Sequence, residues 1–155
     1  MTYQNDNNVK ILFRFHSDVL DKEIVETMFA TTVDRTKGFY KLDNIPFYVP
    51  LVASDDIVYA EFDEQEEMLT YCKTIEYSGN SIIQIIRIDK SKNLNKIRNI
   101  FKELGCVSEK FNDEYFSMEI PSTVGYKNIK KKLDELETQE TIGYAESCLA
   151  DGHRY

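Results

Sequence analysis

Val9–His16 (VKILFRFH) alternates strictly, with Ile11, Phe13 and Phe15 on one face and Leu12, Arg14 and His16 on the other. That period of two predicts a β-strand. Glu23–Val33 is β-branched and aromatic in its later half and predicts a second strand, although EIVETMFA also fits a short helix. Thr36-Lys37-Gly38 turns the chain into a strand at Phe39–Leu42, and Pro46 and Pro50 break Asn44–Leu51 into a looped connection because neither can donate to a ladder. A strand at Ile57–Phe62, an acidic turn at Asp63–Glu67 and a returning strand at Met68–Tyr77 complete the first half. The pattern there is an antiparallel meander, open or closed into a small barrel.

Ser78-Gly79-Asn80 breaks the chain, and the order of elements then changes. Ser81–Ile88 is an almost unbroken apolar strand, which predicts burial on both faces. Leu94, Ile97, Phe101 and Leu104 mark an amphipathic helix closed by Gly105, and Tyr126, Ile129, Leu133 and Leu136 mark a second. Between them, Cys106–Phe111 and Tyr115–Ile120 form a hairpin; Pro121 stops it, and Ser122 or Thr123 is the expected helix cap. Thr141–Leu149 is the last strand. The order β-α-β-β-α-β is the ferredoxin-like split pattern. The expected fold is therefore α+β, with an N-terminal meander or small barrel (residues 1–80) packed on a ferredoxin-like half (residues 81–155) as one compact unit. Met1–Asn8 is polar, and a frayed start is expected there.

Composition changes this picture little. An apolar share of 42% supports a packed core rather than disorder. No apolar run reaches the roughly 20 residues of a membrane helix, and no basic-then-apolar leader opens the sequence. Cys72, Cys106 and Cys148 are widely spaced without a CxxC, as expected of reduced thiols in a cytoplasmic protein.

Charge changes it more. Between Lys41 and Lys73 there is no basic residue, while Asp43, Asp55, Asp56, Glu61, Asp63, Glu64, Glu66 and Glu67 all fall in that gap. Residues 1–80 carry net −8 and residues 81–155 carry net 0. Such a balance argues against nucleic acid, whose recognition needs Lys and Arg on phosphates. The cluster Lys127, Lys130, Lys131, Lys132 is followed by Asp134, Glu135 and Glu137 on the same helix, a mixed solvated face.

Catalytic signatures are sparse. His16 and His153 have no HxH or HExxH spacing, so no metal site is expected, and no cofactor loop of the GxGxxG or GxxxxGK type occurs. Cys72 and Cys106 fall in strands as small core residues, and Cys148 is the expected exposed thiol. The phrases Leu42-Asp43-Asn44-Ile45-Pro46-Phe47, Asp56-Ile57-Val58-Tyr59-Ala60-Glu61 and Ser78-Gly79-Asn80-Ser81 carry a likeness. They resemble an uncharacterised bacterial family, a domain of unknown function with an LDNIPF box and an SGxS turn. The resemblance covers nearly the whole chain and implies a bacterial, cytoplasmic protein without an assigned activity. In size and composition alone the chain is also similar to small acidic immunity proteins.

Two functional expectations follow. The first is a non-enzymatic binding protein whose acidic face (Asp55, Asp56, Glu61, Asp63, Glu64, Glu66, Glu67) meets a basic protein partner, a toxin being the concrete version. Complementary charge speeds encounter and selects partners. The second is a small-ligand or enzymatic site at the junction of the halves, built from Asp43, Asn44, Ser78, Asn80 and His16, with Phe39, Tyr40, Phe47 and Tyr48 as aromatic walls. For the loop at Asn44–Leu51 the structural alternative is a plug that closes the barrel end with its aromatics.

Overall fold

A computed structural model describes residues 7–17 and 20–155, so most of the polar start lies outside the described residues. The chain divides into two compact units, Met1–Ser78 and Gly79–Tyr155.

The first unit is a closed five-stranded barrel of β1 (Asn8–Ser17), β2 (Lys22–Asp34), β3 (Phe39–Leu42), β4 (Ile57–Asp63) and β5 (Met68–Glu76). Each consecutive pair is antiparallel, so an odd meander brings its last strand back parallel to its first. Closure is accordingly the short parallel pairing Ile11↔Leu69 and Leu12↔Thr70. The ambiguous EIVETMFA segment is strand throughout, because β2 pairs with β1 without interruption from Asn8↔Thr31 to Ser17↔Lys22. Register shifts at Thr32/Asp34, Ile57/Val58 and Tyr59/Ala60 supply the bends that closure needs. Gly38 adopts φ +76, and a Cβ there would come within 2.9 Å of the Tyr59 ring.

The barrel core is Ile11, Phe13, Met28, Ala30, Tyr40, Leu42, Val58 and Ala60, with Val49 and Val52 entering from the Pro-containing loop. Phe13 stacks on Tyr71 at 4.7 Å between ring centres. The loop does contribute to the core, but through aliphatic rather than aromatic side chains: Phe47 is only half-buried and Tyr48 is exposed. Valine fits where strand ends crowd together, and each buried one adds roughly 1.5–3 kcal/mol.

The second unit contains β6 (Ser81–Arg87), α1 (Leu94–Glu103), β7 (Val107–Lys110), β8 (Tyr115–Ile120), α2 (Lys127–Thr138) and β9 (Ile142–Cys148), then a 3-10 turn at Asp151–His153. Its antiparallel sheet has the order β7-β8-β6-β9, the arrangement of a split β-α-β pair. Leu94, Ile97 and Phe101 of α1 and Ile129, Leu133 and Leu136 of α2 pack with Ile83, Ile85, Phe116, Met118, Ile120 and Ile142 of the sheet. The Asn93 side chain caps α1 by accepting from Lys96 N at 3.2 Å, and Gly105 follows the helix at φ +100.

Two expectations are corrected here. β6 is not buried on both faces along its length, because Ile86 is 51% exposed. Neither Ser122 nor Thr123 caps α2; a turn closed by Val124 N donating to Pro121 O intervenes, so the helix starts later, with Tyr126 at its cap position.

Candidate functional site

The acidic segment sorts by what each carboxylate touches. Asp56 is fully buried: one oxygen accepts from Ala53 N at 2.9 Å and the other from Ser78 N at 2.8 Å. Burial pushes its pKa up, against the two backbone hydrogen bonds that lower it. Asp56 therefore leaves the proposed acidic face, since a group that knots two loops together cannot also meet a partner. Asp55 lies 3.8 Å from the Lys41 ammonium, and Glu66 makes a 2.6 Å pair with Arg14 of β1. The segment lacks basic residues in sequence, yet the barrel brings two cations to it.

The rest cluster on the β4–β5 hairpin. Asp63 Oδ1 accepts from Gln65 N at 2.8 Å and from Glu66 N at 3.2 Å, an Asx arrangement that fixes the turn. Glu67 completes the turn in the left-handed region at φ 55. Glu61 accepts from the Tyr59 hydroxyl, and this hydrogen bond is the first cause of that phenol's raised pKa. Among the described residues, no cation lies within ion-pair distance of Glu61, Asp63, Glu64 or Glu67. Phe62 sits among them with 63% of its surface exposed. Its position has the inward parity of Val58 and Ala60, but it falls beyond the end of the barrel core.

Of the residues of the second expectation, Asn44 and Asn80 hold backbone N–H groups and Asp43 holds a side-chain hydroxyl. Asp43 Oδ2 accepts from the Thr31 hydroxyl at 2.7 Å, and Asn44 Oδ1 accepts from Phe29 N at 2.8 Å, so both side chains tie the box to β2. Asn80 Oδ1 accepts from Ser122 N at 2.9 Å within the second unit. His16 does not join Asp43 and Asn44. Phe29 is opposite Lys10 in the β1–β2 register, and His16 is six residues further along β1, about 20 Å away. Its Nε2 instead lies 3.4 Å from Asp21.

Sequence reading missed the residue that organises the box. Glu26 of β2 accepts three successive backbone N–H groups, from Phe47 at 2.7 Å and from Tyr48 and Val49 at 2.9 Å. Three converging amides form an anion nest, here filled by the protein's own carboxylate. It also misplaced the thiols: Cys72 is exposed, whereas Cys148 is buried. Burial pushes the Cys106 thiol up to about 12, and burial followed by the charge of Glu61 raises Cys72, so neither is an activated thiolate.

His153 is not in a frayed tail. It is buried, its Nε2 lies 2.8 Å from Val124 O and its Nδ1 lies 2.6 Å from Ser81 Oγ. A carbonyl only accepts, so Nε2 is assigned the proton and Nδ1 accepts from the serine hydroxyl. These are the atoms of a nucleophile and base, but Ser81 is fully buried and also accepts from Ala150 N at 2.8 Å. The pair is a clamp on the segment after β9. Nearby, Glu146 accepts from Tyr126 at 2.5 Å and from Tyr155 at 2.7 Å, and the Lys130 ammonium contacts Asp134 and the Tyr144 hydroxyl. No group of three or more metal-ligating side chains occurs among the described residues, and no helix there is long and apolar enough to cross a membrane.

Comparison with solved structures gives a hypothetical protein from Neisseria gonorrhoeae, 23% identical, with a TM-score of 0.81 over 92% of this chain and 96% of that one. The likeness is one of fold. No curated protein matches the chain. A family described as Domain of unknown function (DUF4265) matches residues 26–144, a span that includes Glu26, the LDNIPF box and the SGNS turn, and the chain belongs to that family.

Proposed function

We propose that the protein is a non-enzymatic binding protein of the bacterial cytoplasm, whose β4–β5 hairpin engages a basic protein partner, a cationic toxin being the most concrete version. The observation that carries this reading is the tip itself: an exposed Phe62 surrounded by Glu61, Asp63, Glu64 and Glu67, none of them paired with a cation among the described residues. An aromatic anchor within a charged rim is the usual division of labour at an interface. The aromatic loses water in the partner's pocket and supplies affinity, while the carboxylates steer a cationic surface and reject acidic ones. Asp63 has a second task, holding the turn so that little ordering entropy is lost on binding. Binding by this tip would inactivate an enzyme by covering its basic substrate channel. Free thiols at Cys72, Cys106 and Cys148 agree with a reducing compartment.

The test is capture from the source cell with three baits: the native chain, Phe62→Ser, and the triple variant Glu61→Gln, Glu64→Gln, Glu67→Gln. Asp63 is left in place so that the turn survives. The reading expects a partner retained by the native bait, released as salt rises and lost from both variants. Equal recovery on all three baits, with equal salt dependence, would refute it.

A further inference from the structure

In the second unit, α1 carries a second pattern beside its apolar stripe. Asn95, Arg98, Asn99 and Lys102 recur at i, i+3, i+4 and i+7, so they share one flank of the helix. Together with Cys106, Val107 and Ser108 of the following segment they line an open cleft of about 490 Å³. That volume is in the range of small-molecule sites, roughly 300–1,000 Å³. The lining contains two cations and no carboxylate, in a chain whose net charge is −8.

The arginine is built into place. Its Nε donates to Ser108 Oγ at 2.8 Å, Nη1 to Asn95 Oδ1 at 3.1 Å and Nη2 to the Ser108 carbonyl at 3.1 Å. Guanidinium has five N–H donors, so two remain. β7 is an edge strand of its sheet. Phe111 N donates to Tyr115 O across the hairpin, and by alternation the Ser108 carbonyl points away from β8. Arg98 occupies that carbonyl, which an added β-strand would need as an acceptor. The cleft is therefore closed to strand addition at this position and open to a small molecule. Asn99 and Lys102, both exposed on the same flank, add an amide and an ammonium to the donors that Arg98 presents.

We propose that this cleft binds a small molecule bearing an oxyanion, phosphate or carboxylate, held by the two remaining N–H groups of Arg98 together with Asn99 and Lys102. The site shares no residue with the acidic hairpin. A guanidinium fixed by three hydrogen bonds loses little freedom on accepting an anion, the condition under which an exposed charge contributes most.

The experiment is a ¹H–¹⁵N titration of the full chain with phenyl phosphate, with benzoate and, at matched ionic strength, with sodium chloride. The site predicts saturable shifts confined to the amides of residues 95–108, absent with chloride. Saturation by phenyl phosphate alone assigns a phosphate, by benzoate alone a carboxylate, and by both a general oxyanion site. Lys102→Gln and Asn99→Asp, both exposed changes, should each weaken binding by roughly three- to fivefold or more. Shifts that never saturate, that chloride reproduces, or that neither variant alters would overturn the proposal.

Discussion

Replacing Glu26 by alanine should destabilise the barrel unit more than any other single change at a partly exposed carboxylate. The side chain accepts from Phe47, Tyr48 and Val49, and the amides of Phe47 and Val49 are part-buried. Each part-buried amide left without an acceptor costs about 1–3 kcal/mol, whereas the exposed Tyr48 amide finds water. The expected loss is therefore about 2–6 kcal/mol. Glutamine separates charge from shape. Its oxygen can keep the two bonds made by Oε1, but its amide nitrogen then faces the Phe47 N–H, donor against donor, and the expected loss falls to about 1–3 kcal/mol. Val49 and Val52, which the loop delivers to the core, should loosen with it. Urea unfolding gives the free energies, and hydrogen exchange at Phe47, Tyr48 and Val49 gives the local effect. If Glu26→Ala unfolds within 0.5 kcal/mol of the native chain, a threshold of about the size seen for ordinary surface substitutions, the nest does not hold the loop.

Asp56→Asn should change the pH dependence of stability. Burial holds the folded pKa of Asp56 above its ordinary 3.8, so its ionisation opposes folding, and its contribution falls as pH rises from there through the folded value. The native chain's advantage over the variant should then be largest in acid and shrink toward neutrality in urea titrations; a constant difference refutes the assignment. At the alkaline end, Tyr144 is raised from 10.0 to about 12, first by burial and then by its hydrogen bond to Asp134, and Tyr126 is raised above its ordinary value by burial and Glu146. The stability these phenols contribute is complete below pH 10 and declines above it, Tyr144's share being lost as pH climbs through about 12, and Tyr144→Phe should flatten that decline, read by absorbance at 295 nm alongside circular dichroism. Gly105→Ala should cost about 1–3 kcal/mol by urea unfolding, because φ +100 is strained for any side chain and the new Cβ would sit 3.1 Å from Val124; an unchanged midpoint would show that the helix end relaxes freely.

Local pattern made the strands and helices legible, since alternation in Val9–His16 and the stripes of α1 and α2 depend on neighbours within a turn or two. Whether the meander closes into a barrel does not follow from the alternation, because closure rests on Ile11↔Leu69 and Leu12↔Thr70, pairs far apart in the chain. Long-range contacts were another matter. Glu66 meets Arg14 across 52 residues and Ser81 meets His153 across 72, and no spacing rule encodes either. For the same reason a charge count read the gap between Lys41 and Lys73 as unopposed, when the fold supplies Arg14 and Lys41 to it. Asp56 looked like half of an exposed acidic pair, and only the positions of Ala53 and Ser78 reveal it as a buried knot. Glu26 lies in a segment that reads as alternating strand, and nothing local distinguishes it from a solvated glutamate.

The central claim divides the acidic segment into carboxylates that hold the fold and carboxylates that meet a partner. Measuring stability and partner affinity together on Glu61→Gln, Glu64→Gln, Glu67→Gln tests it directly. Unfolding within roughly 0.5 kcal/mol per site of the native chain, with affinity for the captured partner reduced at least tenfold and its salt dependence flattened, is the predicted result. Undiminished affinity, or a loss of affinity explained by unfolding, would contradict it.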